Sequence, residues 1–140
     1  MNETMNRVAN AVEIKEYSDF LHQLADAASE ITLAMFKKPV DAESAIRALI
    51  NQTYPYHNIL GEEQGHERNN SAQRGDGTCW TWVIDPIDGT RAYICGIPTW
   101  GTLVALNDGT RPILGMLDQP YLKERYIGTA EASHLNSQRI

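Results

Sequence analysis

The sequence predicts an α+β fold, with two N-terminal helices packed on one face of a mainly antiparallel sheet. Three observations carry that expectation. Apolar residues recur at three- and four-residue steps through the first fifty positions. Runs rich in Val, Ile, Thr and Trp take over after Tyr54. Asn107-Asp108-Gly109-Thr110, a strong hairpin signal, separates two of those runs. Helices first and strands afterwards is the order of an α+β domain.

From roughly Val12 to Phe36 the stripe Phe20, Leu24, Ala28, Ile31 and Met35 predicts a helix. Lys37 and Lys38 suit its negative end, and Pro39 stops it. A second helix is expected over 41–52, with Asp41 as N-cap and Ala45, Ile46, Leu49 and Ile50 facing inward. Tyr54-Pro55 ends it, and residues 57–60 read as a short strand. Residues 64–78 are polar and rich in Gly, Asn and Arg, as a surface loop would be. Trp80 to Asp85 reads as a strand, "TWGTLVAL" and "RPILGMLD" as a hairpin, and "ERYIG" as one strand more. The tail "EASHLNSQRI" lacks periodicity and is expected to fray.

A chain of 140 residues can bury one core but not comfortably two. Its net charge of -6 and the lack of a basic cluster beyond Lys37-Lys38 argue against a nucleic-acid partner. Two cysteines, Cys79 and Cys95, are too few for a disulfide framework and read as reduced thiols. No apolar run approaches the ~20 residues that span a bilayer, and the N-terminus has no apolar stretch of the signal-peptide kind. The cytoplasm is the expected compartment, with no membrane partner.

The chemistry concentrates in "WVIDPIDGT", residues 82–90. An apolar run ends on Asp85, Pro86 stiffens the exit, and Asp88 stands three positions on, followed by the flexible Gly89 and by Thr90. Asp85 and Asp88 can face one point, with the Ile87 carbonyl between them. Two such carboxylates repel unless a proton or a cation joins them. Glu62, just past another strand end, is a natural third. Oxygen-only donors suit Mg²⁺, Mn²⁺ or Ca²⁺, and free N–H groups at Gly89 and Thr90 would receive a phosphate. A bare Asp-Pro-x-Asp-Gly more often makes a simple Asx turn, so these residues alone leave turn and metal site about evenly matched.

"GEE" (61–63) followed at this spacing by "WVIDPIDGT" (82–90) resembles the inositol monophosphatase family of metal-dependent phosphomonoesterases. "RAYICGIPTWGTLVAL" (91–106) and "LGMLDQP…ERYIG" (114–128) are similar to its bacterial branch with histidinol-phosphatases. The resemblance implies half of a layered α/β sugar-phosphatase fold. It implies Mg²⁺ held by Glu62, Asp85, Asp88 and the carbonyl of Ile87, with Gly89 and Thr90 offering N–H groups to the phosphate. Glu62 and Thr90 would be catalytic, Glu62 beside the ion that makes water nucleophilic and Thr90 orienting that water. Glu63 would support its neighbour. The implied substrate is a small phosphorylated metabolite, histidinol phosphate first and inositol monophosphate next.

The sequence also departs from that family. The D-x-V-T-x-x-D loop between the first two helices is missing: its last Asp falls on Pro39, and Asp41, two positions away, is accounted for as an N-cap. A later W-D-x-A-A motif is absent too. The expectation is a single, truncated domain over 1–140 that leaves an apolar sheet face open, with pairing to a second copy as one consequence. The rival readings are a catalytically silent remnant that keeps at most a cation site, and a calcium-binding loop. His22, His57, His66 and His134 lack metal-ligand spacing, and Trp80, Trp82 and Trp100 read as core. Arg91 could meet substrate or pair with a carboxylate.

Overall fold

The computed structural model describes residues 8–36, 41–69 and 80–140. Lys37, Lys38, Pro39, Ser71, the Gly75-Asp76-Gly77 turn and Cys79 lie outside them.

Helix α1 spans Ala11–Ala34. It opens with a capping box, in which Asn10 accepts from the Glu13 N–H and Glu13 accepts from the Asn10 N–H. Its buried face is Tyr17, Phe20, Leu21, Leu24, Ala25, Ala28 and Thr32. The expected stripe is right as far as Ala28 and then departs. Ile31 is half-buried and Met35 is 39% exposed, because Thr32 turns inward in their place. Helix α2 spans Ala42–Thr53, and Asp41 caps it by accepting the Ser44 N–H at 3.0 Å. Ile46 and Ile50 are buried as expected, Ala45 and Leu49 only in part. Glu43 and Arg47 are buried as well, which the apolar pattern did not show.

Eight strands form one sheet in the order β2-β1-β3-β4-β5-β6-β7-β8. They are β1 (Asn58–Gly61), β2 (Gly65–Glu67), β3 (Thr81–Asp88), β4 (Gly101–Asn107), β5 (Pro112–Gln119), β6 (Glu124–Thr129), β7 (Ser133–Leu135) and β8 (Gln138–Arg139). β1 and β3 run parallel, and every other pair is antiparallel. A short helix, α3 (Thr90–Cys95), follows β3.

The β4–β5 hairpin forms where Asp-Gly stands. Asp108 Oδ1 accepts the N–H groups of Thr110 and Arg111, and Gly109 takes φ 96°. Two expectations fail. Residues 64–78 are not all loop, since 65–67 pair with β1 as strand β2. The tail does not fray: β7 and β8 form a hairpin turning at Asn136 and Ser137, both with positive φ. The Asn136 side chain fastens that turn to the Arg125 N–H and the Lys123 carbonyl.

Alternation along the strands sorts the sheet into two faces. Ile59, Trp82, Ile84, Val104, Leu106, Leu114 and Met116 pack against α1 and α2, where Trp80 and Trp82 meet Tyr17 and Phe20 edge to face. Trp82 Nε1–H donates to His57 Nδ1 at 3.0 Å, a satisfied buried pair that leaves His57 a structural role. The opposite face shows Leu60 and Val83, 40% and 38% exposed, above a groove of about 540 Å³ that Leu103, Ala105 and Gly115 also line. No described helix is long and apolar enough to cross a membrane.

Candidate active site

Parallel pairing fixes the first two acidic residues. In β1 and β3 the register sets Leu60 beside Val83 and Gly61 beside Ile84. The Glu62 N–H donates to the Ile84 carbonyl at 3.1 Å, so the ladder runs one step further and lays Glu62 next to Asp85. Leu60, Val83, Glu62 and Asp85 share the outer groove. Glu62 stands just past the carboxyl end of β1, with Asp85 beside it on β3, towards the carboxyl end of a parallel pair, where α/β sheets commonly take ligands.

β3 does not stop at Asp85, as the sequence suggested, but runs on to Asp88. Asp85 pairs with Leu103 and Asp88 with Gly101, so three steps along β3 match two along β4. Pro86 has no N–H for the ladder, which makes an extra residue at this place inexpensive. The Pro86 carbonyl is taken by the Thr102 hydroxyl at 2.8 Å. The offset turns the Ile87 side chain inward against Tyr93 and Trp100 and leaves Asp88 exposed at the strand end.

Gly89 (φ 81°) then starts α3. A Cβ there would lie 3.1 Å from the Thr99 carbonyl, so both the backbone sign and the space ask for glycine. No side chain caps the first turn of α3, whose leading N–H groups have no acceptors within the helix. The Thr90 hydroxyl donates to the Ile87 carbonyl at 3.0 Å. That carbonyl keeps a second lone pair, and the hydroxyl keeps its own acceptor capacity. Tyr93 anchors α3 by donating to the Thr32 carbonyl at 2.9 Å.

The electrostatics set Asp85 apart. Burial raises its pKa above 3.8, the charges of Glu62 and Asp88 raise it further, and the Ile87 N–H opposes them. Asp85 is only half-buried as a residue, yet its Oδ1 is shut off from solvent and has no hydrogen-bond partner among the described residues. Glu63 is also raised, first by burial and then by Glu43 and Glu62. Glu62, Asp85, Asp88, Gly89, Thr90 and the Ile87 carbonyl thus come to one end of the sheet. They do not form a closed cage: among the described residues no group of three or more His, Cys, Asp or Glu is gathered closely enough to hold an ion.

Other expected residues lie elsewhere. Asp41 is occupied as a cap, accepting from the Ser44 N–H and hydroxyl and from Gln64. Arg91 is exposed on α3, and Cys95 is a free, exposed thiol. Sequence reasoning missed Glu43 and Arg47, which hold the turn around Glu62 from behind. The available signal was an i,i+4 acid–base pair inside the apolar face of α2.

Helices on one face of a mostly antiparallel sheet, with an acidic strand end leading into an uncapped short helix, match half of a layered sugar-phosphatase fold. The chain belongs to the inositol monophosphatase family, whose profile matches residues 14–140. It is 36% identical to the bifunctional phosphatase IMPL2, chloroplastic, of Arabidopsis thaliana over 99% of this chain and 43% of that one. It is 34% identical to a histidinol-phosphatase of Streptomyces coelicolor, over 75% of this chain and 44% of that one. Among solved structures, an inositol monophosphatase from Zymomonas mobilis superposes with a TM-score of 0.73 at 33% identity, covering 94% of this chain and 54% of that one. The chain spans about half the length of the relatives it matches.

Proposed function

We propose that the chain provides the acidic half-site of a Mg²⁺-dependent phosphomonoesterase acting on a small phosphate ester. The observation that carries this is the Asp85 Oδ1: a solvent-excluded carboxylate oxygen without a partner, beside two further carboxylates. Such an oxygen is costly unless something binds it. A set made only of oxygens, with negative charge in excess, fits a hard divalent cation. Glu62, Asp85, Asp88 and the Ile87 carbonyl would hold it. When bound, Mg²⁺ supplies Lewis acidity and the positive charge by which an acidic protein accepts a dianion.

The chain's own groups do the rest. The N–H groups of Gly89 and Thr90, at the uncapped start of α3, would receive a phosphate there. The Thr90 hydroxyl, its proton held by the Ile87 carbonyl, offers lone pairs that orient an attacking water. Histidinol phosphate is the leading substrate, since a relative at 34% identity carries the name histidinol-phosphatase, and inositol monophosphate is the next.

A second reading, a silent remnant, is favoured by Pro39, which stands where the family resemblance leads one to expect a water-activating Asp. Phosphate release from histidinol phosphate and inositol 1-phosphate, with Mg²⁺ or with chelator, separates the two. Release that is lost on chelation and in Asp88→Asn supports the enzyme. No release above buffer supports the remnant.

A further inference from the structure

The buried acid–base pair on α2 is not used by the chemistry above. Glu43 is fully buried, and Arg47 is 7% exposed. Glu43 Oε2 accepts the Glu63 N–H at 2.8 Å, and its Oε1 accepts the Gln64 N–H at 3.1 Å. Oε1 also takes Arg47 Nε and Nη2, each at 2.8 Å. Arg47 then reaches forward, donating to the Gly65 carbonyl and to Glu67 Oε2. One helical pair therefore grips residues 63, 64, 65 and 67 of the β1–β2 hairpin.

Gly61 completes the grip from the other side of Glu62. A Cβ at Gly61 would collide with the Glu43 carboxylate and the Arg47 guanidinium, so glycine is what lets β1 come this close to α2. Gly61 faces α2 while Glu62 faces the opposite groove. Glu62 is thus held by its backbone on both sides, with its side chain left free. A buried ion pair seldom adds stability over an apolar pair of the same volume. Its distinctive contribution here is directional, because two oxygens in a plane fix two successive N–H groups.

We propose that Glu43, braced by Arg47, is a positioning residue that sets the orientation of Glu62 beside Asp85. This rests on Glu62 being a cation ligand, but the orientation itself is measurable without any ion. The experiment uses the 140-residue chain, Glu43→Gln and, should that variant not fold, Gly61→Ala, whose methyl displaces the Glu43 carboxylate. Three readouts are taken: amide exchange at Glu63 and Gln64, the χ1 distribution of Glu62 from scalar couplings without metal, and Mn²⁺ affinity from water proton relaxation.

The variant is expected to exchange faster at 63 and 64 and to average the Glu62 rotamers. It should bind Mn²⁺ about 10- to 100-fold more weakly, as loss of a partner behind a ligand does. Exchange at Trp82 and Leu106, which a general loss of stability would speed, stays as in the parent. Unchanged Glu62 rotamers overturn the proposal, as does unchanged Mn²⁺ affinity in a chain that binds the ion. A parent chain that binds no Mn²⁺ refutes the cation reading instead, and the rotamers alone then decide the role of Glu43.

Discussion

Asp85→Asn is expected to stabilise the chain in the presence of chelator and to destabilise it, relative to the parent, in Mg²⁺. In the parent, Asp85 sits between Glu62 and Asp88 with Oδ1 cut off from water and unpaired. Leaving a fully buried polar group unpaired costs about 1–3 kcal/mol. Asp85 is only half-buried and its repulsions are partly screened, so roughly 0.5–1 kcal/mol remains. Asparagine removes the charge, and its amide can donate to either flanking carboxylate. The variant should therefore gain about that much without metal. At a Mg²⁺ concentration near 100 times the dissociation constant, the parent gains about 2.7 kcal/mol by mass action and a non-binding variant gains none. The order of stabilities then reverses. Urea unfolding followed by tryptophan fluorescence reads this directly, because Trp80, Trp82 and Trp100 are all buried. Destabilisation of Asp85→Asn in chelator, or equal gains from Mg²⁺ in both proteins, would refute the reasoning.

Tyr93→Phe removes the only hydrogen bond described from the last turn of α1 to α3, leaving the Thr32 carbonyl buried without its donor. A loss of about 1–2 kcal/mol is expected in urea midpoints; a loss within error would show that α3 is not anchored there. Asp118 gives a pH test away from the site. Burial raises its pKa above 3.8 despite the Arg125 guanidinium at 2.9 Å, and its Oδ2 has no partner among the described residues. A raised carboxyl pKa means that the folded state prefers the protonated form. The penalty is present above the raised value and fades as pH falls towards 3.8. Asp118→Asn, in which Arg125 keeps Asp26 at 2.9 Å, should be at least as stable as the parent at pH 7, with an advantage that shrinks on acidification. A variant clearly less stable at pH 7 would mean that the ion pair outweighs burial.

How far the sequence foretold this depended on whether a local signal existed. The β4–β5 hairpin was legible because Asp108-Gly109 carries its own turn chemistry, and α2 because Asp41 is a strong cap. β7 and β8 were not, since Asn136-Ser137 uses two non-glycine residues at positive φ and is held by contacts to Arg125 and Lys123 across the fold. β2, Gly65-His66-Glu67, has no apolar side chain, and its strand character comes only from pairing with β1. In the site, the Asp-Pro-x-Asp-Gly pattern showed which residues matter but not their geometry. The strand was expected to end at Asp85, whereas Pro86 makes an irregularity within it. Glu43 and Arg47 lay in plain view as an i,i+4 pair. Their burial follows from the approach of Gly61, a tertiary contact that no helical pattern encodes.

The seat of a divalent ion on this chain is directly measurable. Mn²⁺ titrated into the isotope-labelled chain broadens amide signals near its seat. Broadening centred on Glu62, Asp85, Asp88 and Gly89 is the expected result. Broadening centred elsewhere, or none at millimolar Mn²⁺, would contradict it.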